Sequence, residues 1–127
     1  MSVNSLDILE FAKDCVGRKD EIGYRNAVAR AYYSAYHHVI PCLNNGPKDS
    51  HQGLIDYLLT ISWKGNEPFS KLDLIGIGYA LQTLKAQRVI SDYCLDDEVT
   101  ESQSATAIKT VEKLMKRCAD MTKSEAS

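Results

Sequence analysis

The sequence predicts an all-α protein, an up-and-down bundle of four to five helices. Apolar residues recur at spacings of three and four along most of the chain, the period of a helix with one buried face. Few segments show the two-residue alternation of a strand. Pro41, Pro47 and Pro68 all fall mid-chain, and the connections are short, so neighbouring helices are expected to pack antiparallel.

Each element has its own signals. Asn4 or Ser5 should cap a first helix that runs to about Val16, with Leu6, Leu9, Ala12 and Val16 on one side and Gly17 as the stop. The second helix should run from about Asp20 to Leu43, with Val28, Tyr32, Ala35 and Val39 as its apolar stripe. Pro41 should kink its end, because the ring removes a donor and crowds the carbonyl four residues back. Gly23, Ala27, Ala31 and Ala35 recur every fourth residue, which is either a ridge for close helix packing or simply good helix propensity. Asn44-Asn45-Gly46-Pro47 reads as a turn. Ser50 should cap a third helix, about His51 to Trp63, and Ser70 a fourth, about Lys71 to Tyr93. Thr100 should cap the last, about Glu101 to Thr122, with Glu125-Ala126-Ser127 fraying.

The 127 residues suit a single domain spanning 1–127, with its core within 5–122. A formal charge of −2 excludes a general polycation, so any phosphate-binding patch must be local; Arg18, Lys19, Arg25 and Arg30 offer one. No apolar run reaches the roughly 18 residues a membrane span needs, and the N-terminus lacks the basic and apolar regions of a secretion signal. A cytoplasmic protein is therefore expected. Cys15, Cys42, Cys94 and Cys118 are scattered without a C-x-x-C pair and read as small core residues. His37 with His38, or His37 with Cys42, lacks zinc spacing, so neither a metal nor a cofactor is expected.

The segment Arg30-Ala31-Tyr32-Tyr33-Ser34-Ala35-Tyr36-His37 stands out. Seven helical steps return almost to the same bearing, so Arg30 and His37 leave one face two turns apart. With Val28 at 0°, Asn26, Arg30, Tyr33 and His37 fall between roughly 140° and 200°, opposite the apolar stripe. Arginine grips phosphate with a planar fork of donors, and histidine moves protons near neutral pH. A tyrosine on this face, flanked by Ile40, suggests that a second copy of the helix covers it across a two-fold axis, bringing two arginines and two histidines together in a homodimer.

This segment resembles the signature helix of HEPN domains, whose ribonuclease members carry an arginine, four to six residues and a histidine. The tyrosine pair, small residue and aromatic before the histidine match one bacterial and archaeal branch. Leu84-Lys85-Ala86-Gln87-Arg88-Val89-Ile90-Ser91-Asp92-Tyr93 looks like the family's later helix end, so the resemblance spans about residues 5–120. It implies a dimeric, metal-independent endoribonuclease, often a toxin or phage-defence effector held by an antitoxin. Arg30 would bind the scissile phosphate, and His37 would serve as general acid or base. Ala31 follows Arg30 where active members often carry a polar residue, and Val39 stands where one toxin branch has a tyrosine. A second implication therefore stays open: a non-catalytic binding module that works with a partner such as a nucleotidyltransferase.

Other residues have two readings each. Tyr33 either orients His37 and stacks on a base, or packs a dimer interface. Asn26 either bonds RNA or Arg30, or is merely exposed. Ser34 is a small packing residue rather than a nucleophile, having no evident activating partners. His38 points about 100° from His37 and reads as a rim residue. His51 reads as solvent-exposed at the start of helix three. Lys85 and Arg88 either aid phosphate binding or solvate the fourth helix.

Overall fold

A computed structural model describes residues 2–126; Met1 and Ser127 lie outside the described residues. It is an all-α bundle of five helices and two short non-α turns, with no strand among the described residues. The helices are α1 (Ser5–Gly17), α2 (Glu21–Val39), α3 (His51–Thr60), α4 (Lys71–Tyr93) and α5 (Glu101–Ala126). Helix α2 is central and packs against α1, α4 and α5, while α3 lies on α4.

The caps follow the sequence. Asn4 accepts from the Asp7 amide, and Asp7 returns a bond to the Asn4 amide, closing a capping box. Ser50 and Ser70 accept from the amides of Gly53 and Asp73, and Thr100 and Gln103 form a second reciprocal pair. Helix α1 does stop at Gly17, but the left-handed residue in the turn is Lys19, at φ 62°. Helix α5 continues through Ala126, past the expected end at Thr122, and Ser127, the last of the residues expected to fray, lies outside the described residues.

Helix α2 ends sooner than expected. It stops at Val39, and Ile40–Cys42 form a 3-10 turn closed by the Leu43 amide on the Ile40 carbonyl. Pro41 cannot donate to the carbonyl four residues back, so the chain tightens instead of kinking and continuing. Helix α3 ends at Thr60 rather than Trp63. Residues Ser62–Asn66 form a wide turn, in which Gly65 takes φ 97° and the Glu67 amide reaches the Ser62 carbonyl.

Burial on α2 extends well beyond one stripe. Gly23, Ala27, Ala31 and Ala35 are all buried, and a Cβ at Gly23 would collide with the Cys15 carbonyl of α1. The four-residue ridge is thus a close-packing surface. Arg25, which interrupts the apolar side, is itself buried at 6% exposure. Its guanidinium pairs with Glu21 and donates to the carbonyls of Ile90, Ser91, Cys94, Leu95 and Asp97, capping the end of α4. Of the basic residues expected as a patch within 18–38, Arg25 is consumed in the interior, while the exposed Arg18 and Lys19 pair at the surface with Asp20 and Glu101.

Candidate active site

With α2 enclosed on three sides, the side chains of its remaining face stand apart. Asn26 and His37 are exposed there, and Arg30 and Tyr33 are half-buried. Tyr33 is the hub. The Arg30 guanidinium lies 4.5 Å from the centre of its ring, and the Arg88 guanidinium, from α4, lies 5.1 Å from it. Arg88 also donates to the Tyr33 hydroxyl at 2.8 Å and sits 2.9 Å from Asp92 Oδ2, one turn further along α4. The His37 ring stacks towards Tyr33 at 6.5 Å and meets the edge of Tyr36 at 5.2 Å. Arg30 Nε is buried and has no hydrogen-bond partner among the described residues. A buried donor of this kind costs stability unless a ligand or another chain engages it.

His51 is the residue the sequence reading missed. It was expected in solvent, yet α3 delivers it into this cluster. Its ring stacks on Tyr36 at 3.9 Å and 7° and meets Tyr33 edge-on at 6.0 Å. Its Nδ1 lies 2.6 Å from the Tyr32 hydroxyl. Burial, then the charges of Arg88, Lys85 and His37, pull its pKa below the ordinary histidine value. Burial pushes the Tyr32 phenol up, and in the tautomer whose Nδ1–H donates to the Tyr32 oxygen the imidazole is fixed with its lone pair on Nε2. Nε2 is left for a substrate. Tyr32, Tyr33 and Tyr36 thereby seat two imidazoles, one from α2 and one from α3. Lys85 donates to Gln52, beside His51, so the rim carries a further cation.

Three named residues go elsewhere. Asn26 donates to the Ile22 carbonyl of its own helix, not to Arg30. Ser34 is fully buried and donates to the Ser5 carbonyl of α1 at 2.7 Å, a packing role. His38 is half-buried against Ser5, with its Nδ1 2.9 Å from the Ser5 hydroxyl. His38, Cys42 and Cys118 place one ligand atom each within 4.8 Å of one another. His38, not His37, is the imidazole beside Cys42, and Cys118 arrives only through the packing of α5.

No helix among the described residues is long and apolar enough to cross a membrane. Comparison with family models, curated proteins and solved structures finds no match to this chain. Its class is therefore set by its own geometry: an all-α bundle whose central helix exposes a cationic, histidine-bearing aromatic cluster.

Proposed function

We propose that this protein is a HEPN-type endoribonuclease that works as a homodimer in the cytoplasm, as a toxin or phage-defence effector restrained by an antitoxin. The observation that carries the reading is the convergence of two guanidiniums, Arg30 and Arg88, on the Tyr33 ring, with the imidazoles of His37 and His51 beside it. RNA supplies its own nucleophile, the 2′-OH. His51, kept neutral by burial and nearby cations, suits the base that takes the 2′ proton. As the 2′ oxygen attacks phosphorus, the bond to the 5′ oxygen breaks, and protonated His37 supplies that oxygen with its proton. Arg30 and Arg88 bind the phosphate and stabilise its growing charge. The products are a 2′,3′-cyclic phosphate and a 5′-hydroxyl.

The dimer rests on the same face. Exposed Ile22 on α2 and Phe11 on α1 flank Asn26, an apolar margin that a second copy would cover. Light scattering should return twice the 14.2 kDa chain mass. Incubating the protein with RNA in magnesium-free buffer should give cleavage that Arg30→Ala and His37→Ala abolish; intact RNA, or equal cleavage by the variants, rejects the proposal.

One observation favours a second reading. Ala31 is fully buried, so the position after Arg30 packs into the core and cannot lend a polar group to the site. A non-catalytic module bound to a partner such as a nucleotidyltransferase would leave RNA intact and co-purify with that partner.

A further inference from the structure

About a quarter turn around α2 from His37 lies a second cluster, built from different chemistry. His38 and Cys42 are four residues apart, at the end of α2 and in the 3-10 turn, and Cys118 comes from α5. We propose that His38, Cys42 and Cys118 form a binding site for a thiophilic divalent cation, zinc above all. This proposal stands independently of the ribonuclease reading.

Four features support it. One ring nitrogen and two sulfurs lie within 4.8 Å of one another, close enough for small side-chain adjustments to bring them around one ion. Two sulfurs with an imidazole is a donor set that suits zinc and is wrong for magnesium or calcium. Two thiolates and a neutral imidazole also cancel the charge of a dication, so the occupied site is neutral where it is buried. Cys118 is 1% exposed, while His38 and Cys42 are half-buried, which shields the ion yet leaves a way in.

The setting of His38 adds to these four. The Ser5 hydroxyl lies 2.9 Å from its Nδ1, and Ser5 is itself held by Ser34, which donates to its carbonyl. A ring fixed through Nδ1 presents Nε2 to a metal, the usual arrangement of a ligating histidine. Three protein ligands leave the fourth tetrahedral position to water or an outside donor. An ion here would tie α5 to the last turn of α2, next to His37, and hold that turn against the start of α1.

Cobalt(II) titrated into the reduced full chain under nitrogen reads the site directly. Thiolate-to-cobalt charge-transfer bands and tetrahedral visible bands should saturate at one ion per chain and bleach when zinc is added. Cys42→Ser and His38→Gln should each weaken cobalt binding at least about 100-fold, and Ser5→Ala about 10-fold. Cys94→Ser, outside the cluster, should leave binding unchanged. Circular dichroism on each variant confirms that helix content is retained; Cys42, being half-buried, is the safer replacement than Cys118. Absence of the charge-transfer band overturns the proposal. So does unchanged affinity in Cys42→Ser, or a reduced protein that binds no cobalt and only closes a Cys42–Cys118 disulfide in air.

Discussion

Replacing Arg25 with methionine tests how the two halves of the candidate site are held together. Arg25 belongs to α2, which carries Arg30 and His37, yet its guanidinium clasps the end of α4, which carries Arg88. Methionine keeps the apolar stem and removes the charge. Of the five carbonyls released, those of Ile90 and Cys94 keep the amides of Cys94 and Asp97 as partners, and those of the exposed Leu95 and Asp97 regain water, so their loss is partly offset. The Ser91 carbonyl, in a residue 4% exposed, stays dry and unpaired. A buried unsatisfied acceptor costs about 1–3 kcal/mol, and a lost charged hydrogen bond about 1.5–3 kcal/mol. The two together give about 2.5–6 kcal/mol, a range that brackets the cost of breaking a buried charge network. For a chain of this size that lowers Tm by about 10–20 °C. Thermal melts by circular dichroism measure the fall, and hydrogen exchange should show residues 90–98 opening first. The exposed pair of Arg18 and Asp20 supplies the control, and Arg18→Met should leave Tm unchanged. A fall below about 3 °C in Arg25→Met, smaller than about 1 kcal/mol would give, refutes the assignment of Arg25 as the clasp.

Further expectations concern single groups. His51→Gln should reduce kcat for RNA cleavage by about 10²–10⁴ with little change in RNA affinity, which single-turnover kinetics and filter binding separate. Because the folded protein holds His51 below its ordinary pKa, the unfolded chain binds the extra proton first. Its contribution to stability is complete above the unfolded value of about 6.5 and is lost as pH falls through the depressed folded value. Urea melts between pH 7.5 and 5 should show that decline, with a shallower slope in His51→Gln. Glu67, 6% exposed, accepts from the amides of Asn44 and Asn45 and from the Tyr57 hydroxyl at 2.7, 2.8 and 2.5 Å. Glu67→Gln should cost about 2–4 kcal/mol in a denaturant melt and loosen the 44–50 loop that precedes His51.

Local signals in the sequence translated well into structure. Asn4, Ser50, Ser70 and Thr100 are caps because each places an oxygen three residues ahead of an orphan amide, and that geometry is written in adjacent residues. The start of α4 was readable for the same reason. The end of α2 was not, since Pro41 was read as a bend when the missing donor instead tightened the backbone into a 3-10 turn. Arg25 looked like a flaw in an apolar stripe. The carbonyls it caps lie some 65 to 72 residues away, so no window on α2 could reveal them. His51 was hidden likewise, because the three tyrosines around it belong to a different helix. A histidine at the first turn of a helix, following a Pro- and Gly-containing loop, was the only available hint. The wheel did place Arg30, Tyr33 and His37 on one face, and Arg88 joined them only through the packing of α2 against α4. His38 and Cys42 were within reach of a four-residue search, whereas Cys118 was not.

The most direct test of the central claim uses two short RNAs of one sequence, the second carrying a single 2′-deoxy sugar at the cleaved position, with products weighed by mass spectrometry. The all-ribose strand should yield a 2′,3′-cyclic phosphate and a 5′-hydroxyl, and the bond after the deoxy sugar should stay whole. Cleavage of that bond, or fragments ending in a 3′-hydroxyl and a 5′-phosphate, would contradict a mechanism in which Arg30, His37 and His51 act on a 2′ nucleophile.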